Sequence, residues 1–159
     1  MLLLLFKISE RHYGVDARRI VEVVPSTALQ RSIDVSPQNR LTSQVGLLRW
    51  QVGNQIDLIP VVDLAQMLMN VESPRTMGTR IMVVEDEGRR LWGLMATGMV
   101  QTWAVENELW MNSDEQQVLM RGQTLVYGLS IDRVLTDVRE QSDQFRVRTV
   151  AVERNNSAS

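Results

Sequence analysis

Short apolar runs alternate with polar breaks along most of the chain, and their spacing predicts many short strands. Leu2 to Ile8 is aliphatic or aromatic at nearly every position, which predicts a first strand buried on both faces. Ile20-Val21-Glu22-Val23-Val24 is rich in β-branched residues and stops at Pro25, a second strand. Between them, Val15-Asp16-Ala17-Arg18-Arg19 lacks alternation, and Asp16 is placed to cap a single helical turn. Residues 30–45 are mostly polar, contain Pro37 and predict a loop. Gly46 to Val52 and Gln55 to Val62 form a predicted hairpin about Gly53-Asn54. Thr79 to Glu85 and Arg90 to Thr97 form another about Asp86-Glu87-Gly88, extended by Met99 to Val105. Residues 106–122 predict a loop with a helical turn, and Leu125 to Ile131 a late strand. Asp132 then opens an amphipathic helix with Val134, Leu135 and Val138 on one face. Phe145, Val147, Val150 and Val152 mark a last short strand, so one domain is expected over residues 1–152, with 153–159 a disordered polar tail.

One stretch combines strand and stop signals. In Ile56-Asp57-Leu58-Ile59-Pro60-Val61-Val62-Asp63, Pro60 has no N–H to give a ladder. It belongs on an edge strand or where pairing is interrupted. Asp63 is placed to accept hydrogen bonds from the backbone N–H groups that open Leu64 to Met69. Asp132 before Arg133-Val134-Leu135 repeats the arrangement, and two strand-Asp-turn units point to two similar β lobes.

Composition narrows the function. The chain is 44% hydrophobic, enough for a sizeable core. Its 17 basic residues nearly balance 19 acidic ones, which argues against a strong field for nucleic acid or membrane. Cysteine is absent, so disulfides, thiol chemistry and cysteine metal sites are excluded. Leu2 to Phe6 is shorter than the roughly 7–15 residues of a signal-peptide core. No apolar run reaches the ~20 residues of a membrane span. A cytoplasmic protein without direct membrane insertion is the expectation.

Candidate chemistry is sparse. His12 is the only histidine, lies among Glu10, Arg11 and Tyr13, and reads as a surface residue of a hairpin turn. With one histidine and no cysteine, a zinc site is disfavoured. Neither phosphate-binding glycine motif is present. Glu85-Asp86-Glu87 reads as a solvated turn rather than a cation site. A carboxylate pair for hydrolysis is neither supported nor excluded by acid content. The expectation is therefore a non-catalytic module with no cofactor and no metal. The tryptophans Trp50, Trp92, Trp103 and Trp110 could stack bases, but the basic groove that such platforms use is missing. Packing suits at least two of them, whereas an exposed Trp50 beside Arg49 would suit a protein-interface hot spot. A β-barrel nucleic-acid-binding module and a small hydrolase stay open as alternatives.

The ordered series Tyr13-Gly14-Val15-Asp16, Ile20-Val21-Glu22-Val23, Gly46-Leu47-Leu48, Ile59-Pro60-Val61-Val62-Asp63-Leu64, Ile81-Met82-Val83-Val84, Trp92-Gly93-Leu94-Met95 and Leu129-Ser130-Ile131-Asp132 resembles the CheW-like adaptor domain of bacterial chemosensory systems. The likeness spans residues 3–140. It implies a mainly β fold of two SH3-like barrel lobes sharing a hydrophobic core, with short helices. It implies an adaptor, without catalysis or cofactor, that joins the cytoplasmic tips of methyl-accepting chemoreceptors to the regulatory domain of a histidine kinase, with other adaptor copies as further partners. The family's receptor-facing groove maps onto Ile20, Val21 and Glu22 and onto the neighbourhood of Gly46. Against this stands a purely structural account, with Ile20 and Val23 in the core and Gly46 kept for backbone geometry.

The chain also departs from the family pattern. Arg49 stands where an asparagine is expected, Gln51 where an arginine is expected, Val52 in place of a glycine, and Thr97 in place of an aspartate. The gap to Pro60 is longer by four residues, and two added to each strand would preserve which side chains face inward. Arg49, Trp50 and Gln51 thereby become candidate partner contacts on a projecting hairpin.

Overall fold

A computed structural model describes residues 1–30, 44–74, 76–106 and 118–140. The expected strand around Phe145 to Val152 and the tail lie outside the described residues.

Among the described residues, ten strands form one branched sheet. They are β1 (Leu2–Ile8), β2 (Arg11–Asp16), β3 (Ile20–Pro25), β4 (Leu29–Gln30), β5 (Gln44–Val52), β6 (Gln55–Asp63), β7 (Thr79–Glu85), β8 (Leu91–Ala104), β9 (Val118–Arg121) and β10 (Thr124–Gly128). Helix α1 is Leu64–Met69, and residues 131–140 form helix α2.

The branch point is β8. Its first half pairs antiparallel with β7 and parallel with β6. Its second half pairs with β1, and the register shifts between Leu5 and Lys7, which face Gln101 and Thr97. Gly98 lies in that interval with φ +80, a conformation that glycine adopts without steric cost. The expected extension by Met99 to Val105 is thus part of one long strand bent at a bulge. One lobe comprises β3, β7, the first half of β8, β6, β5 and β4. A single 3₁₀ turn, Ser26–Ala28, joins β3 to β4 and closes its two edges covalently. The other lobe comprises the second half of β8, β1, β2, β10 and β9. This is the expected two-lobe, mainly β fold.

Alternation along the strands sorts side chains into three cores. Leu3 and Leu5 point into the second lobe with Val126. Ile81, Val83, Val61 and Met95 fill the first. Between the lobes, Leu4, Phe6 and Ile8 meet Met82, Val84, Val62 and Leu94. Strands β1, β7 and β8 are therefore buried on both faces, which is why they read as unbroken apolar runs. Gly93 is required at the centre: a Cβ there would lie 2.9 Å from methyl groups of both Ile81 and Val61.

The strand-to-helix junctions follow the capping logic in part. Asp63 accepts from Ala65 N–H at 3.0 Å, as its position predicts, and also from the backbone N–H and the hydroxyl of Ser73 at 2.8 and 2.6 Å. Asp16 accepts from Arg18 N–H at 3.0 Å and opens the 3₁₀ turn Ala17–Arg19. Pro60 is the last residue of β6 before the parallel ladder to β8 begins at Val61 opposite Gly93, an interruption of the kind its missing N–H calls for. Helix α2 corrects the expectation. Its cap is Ser130, whose carbonyl accepts from Val134 N–H at 3.1 Å and whose hydroxyl accepts from Arg133 N–H at 3.4 Å. The late strand ends at Gly128, short of Ile131. Val134, Leu135 and Val138 form the predicted buried face, and Ile131, expected in the strand, joins them.

Two further readings are corrected. Part of the predicted 106–122 loop is β9, paired with β10 about Gly122, whose φ of +62 matches that of Gly53 at +61 in the β5–β6 turn. Asp86 is not solvated: only 8% of its surface is exposed.

Candidate protein-docking site

Strand β3 carries three of the candidate residues at the outer side of β7. Its register shifts between Ile20, opposite Val84, and Glu22, opposite Val83, so Val21 is the extra residue of a bulge. A bulge turns one side chain out of the alternation. Ile20 and Val23 lean on the inter-lobe core, while Val21 is 52% exposed and Glu22 projects to solvent.

Arg19, just before β3, reaches across the molecule. Its Nη1 and Nη2 each donate to Asp132 of α2 at 2.7 Å, and Nη2 also donates to the Glu85 carbonyl at 3.2 Å. The paired guanidinium holds the Asp132 carboxyl below the usual carboxylate range, with burial opposing it. Asp132 thus ties the helix to β3 rather than capping it. Beside this bridge an open cavity of about 380 Å³ is lined by Arg18, Arg19, Val21, Glu85, Asp86, Glu87 and Asp132.

Asp86 anchors the other end of α2. Burial disfavours its charge, but Arg90 N–H at 2.9 Å, the Trp92 indole N–H at 3.1 Å and the Arg139 guanidinium all donate to it and hold its carboxyl below the usual range. The Arg90 guanidinium lies 4.9 Å from the centroid of the Trp92 ring. Glu85-Asp86-Glu87 by itself does not announce this role: Arg90 and Trp92 donate from the same hairpin, but Arg139 comes from 53 positions away. The indole was the available signal: a buried Trp N–H needs an acceptor.

The β5–β6 hairpin carries the remaining candidates. Gly46 is buried beside β4, and a Cβ there would fall 2.5 Å from the Gln30 carbonyl oxygen, so backbone approach alone demands glycine. Beyond the barrel the ribbon projects: every residue from Gln51 to Leu58 is exposed. Residues directly opposite in an antiparallel pair share a face. Trp50 pairs with Asp57, is half-buried and packs inward against Leu48 and Ile59. Arg49 pairs with Leu58 and Gln51 with Ile56, on the other face. The structure therefore groups Arg49 and Gln51 with Ile56 and Leu58, which sequence analysis did not single out, and separates them from Trp50. Ile56 and Leu58 read as core from their aliphatic character; only the projection of the ribbon exposes them.

His12 is the second residue of β2, half-buried, rather than a member of the Ser9-Glu10 turn. No helix among the described residues is long and apolar enough to cross a membrane.

These features align with known proteins. The CheW-like domain family model matches residues 2–131. The crystal structure of the scaffolding protein TtCheW from Thermoanaerobacter tengcongensis superposes with a TM-score of 0.62 at 16% identity, covering 82% of this chain and 84% of that one. No curated protein matches the chain. The TtCheW likeness speaks for the fold, and the family match, which spans both lobes and the start of α2, places the chain in the CheW-like domain family.

Proposed function

We propose that this chain is a non-catalytic signalling adaptor that couples chemoreceptor cytoplasmic tips to the regulatory domain of a histidine kinase. The observation that carries the reading is the CheW-like match across residues 2–131. The surface is in keeping with it. Val21 and Glu22 lie exposed on the bulged strand β3, where the family's receptor groove maps, and Ile20 supports them from the core side. Gly46 contributes by letting β4 and β5 approach, and Arg49 and Gln51 present a second surface on the projecting ribbon.

Binding of the purified chain to a receptor-tip fragment and to the kinase regulatory domain tests the proposal. Glu22→Arg is expected to weaken receptor binding about tenfold, the effect of losing ~1.4 kcal/mol, with the melting temperature nearly unchanged because Glu22 is exposed. Unchanged receptor affinity in the folded variant would remove β3 from the interface. Salt-dependent binding of single-stranded DNA with no affinity for either protein would favour the nucleic-acid alternative instead.

A further inference from the structure

Among the described residues, no element covers the outer face of the distal β5–β6 ribbon. Leu58 is 60% exposed and Ile56 45% exposed, next to each other on β6 and directly opposite Arg49 and Gln51. Scattered single apolar residues on a surface are ordinary, but two on one face of a projecting two-stranded ribbon find no packing partner among the described residues. The one charge on this face is Arg49, which enters no ion pair among the described residues. The ribbon's one acid, Asp57, points to the opposite face with Trp50, where Gln55 donates to it at 3.4 Å. The face is thus locally cationic on a chain of net charge −2.

From this geometry we infer that Arg49, Gln51, Ile56 and Leu58 form a docking face for a protein surface that offers apolar side chains flanking a carboxylate. The occupant's chemistry follows from complementarity. Apolar groups bury Ile56 and Leu58, and desolvation of the Arg49 guanidinium is then compensated only by a carboxylate within hydrogen-bonding reach, the planar fork favouring bidentate contact. Trp50 supports the face from behind rather than contacting the partner. Resting on the adaptor reading, the inference assigns this face to the kinase regulatory domain and leaves β3 to the receptor.

The test compares three variants of the full chain for binding to the purified kinase regulatory domain. Leu58→Lys and Arg49→Glu are each expected to weaken binding at least tenfold, with melting unchanged. Val52→Lys, on the opposite face and 63% exposed, is expected to bind as the unmodified chain does. Substituting the matching carboxylate of the kinase domain by arginine is expected to restore binding to Arg49→Glu. Full affinity in Leu58→Lys overturns the docking face while leaving the adaptor reading intact. Equal losses in Val52→Lys and Leu58→Lys overturn it too, because the face would then have no specificity. Failure of the unmodified chain to bind the kinase domain at all overturns the adaptor reading and the inference with it. A loss in Leu58→Lys traced by sedimentation to dissociation of a dimer of this chain would assign the face to a second copy and overturn the proposed occupant.

Discussion

Trp50 shows how a single side chain changes meaning when its strand acquires neighbours. Beside Arg49 in the sequence it reads as an interface anchor, yet pairing with Asp57 turns it to the inner face, against Leu48 and Ile59. Its side chain is only partly buried, so truncation costs less than the ~3–5 kcal/mol of a fully buried aromatic. Trp50→Ala is expected to lower stability by about 2 kcal/mol in urea unfolding, with kinase-domain affinity of the folded molecules unchanged. A tenfold affinity loss without destabilisation would return Trp50 to the interface. Asp86 is the converse case, an acidic turn residue that the fold buries. Asp86→Asn keeps its size but removes the charge that Arg139 and the Arg90 N–H require, and its amide leaves one donor facing another. Arg139 is half exposed and turns to solvent in the variant, so a destabilisation of about 1–2 kcal/mol is expected, that of leaving buried N–H donors poorly paired. A stability within ~0.5 kcal/mol of the unmodified chain, the range of ordinary surface changes, would show that water replaces these hydrogen bonds.

Among the elements, α2 is held by chemistry at both ends. Arg19 grips Asp132 in its first turn and Asp86 grips Arg139 in its last, while Ile131, Val134, Leu135 and Val138 plug the inter-lobe core. Both bridges connect the helix to the lobe of β3 and β7. The pH dependence follows with a definite sign. Asp132 and Asp86 have folded-state pKa values depressed below the unfolded value of about 3.9. In the window below that value the unfolded chain binds more protons, so stability rises with pH there. The contribution is fully present above about pH 4 and is lost as pH falls through the lower folded-state values. Urea midpoints are expected to hold from pH 7 to about 5 and to drop below about 4, and Asp132→Asn is expected to flatten the drop. Because Asp132 is half exposed, 1 M salt is expected to reduce its share. An identical acid profile in Asp132→Asn would exclude the bridge as a contributor.

For the whole molecule, what was legible followed from local physics. The unbroken aliphatic run at β1 announced a strand buried on both faces, because a side chain on either side of the pleat meets a core. Gly53-Asn54 announced its hairpin, and Asp63 and Asp16 announced their caps, since each bond spans only two residues. The ordered family motifs carried the two-lobe fold. Other features needed the tertiary structure, because they depend on contacts between residues far apart in the chain. Arg19 and Asp132, 113 positions apart, could not be matched from sequence, and so Asp132 was assigned the nearer role of a cap, which Ser130 performs. The bend of β8 at Gly98 depended on which strand each half pairs with. The exposure of Ile56 and Leu58 depended on where the barrel ends, a boundary that hydrophobicity does not encode, since the same aliphatic pattern serves a buried strand and a projecting one. Sequence determined which residues alternate; the fold alone decided which of the two alternating faces meets another layer of protein and which meets water.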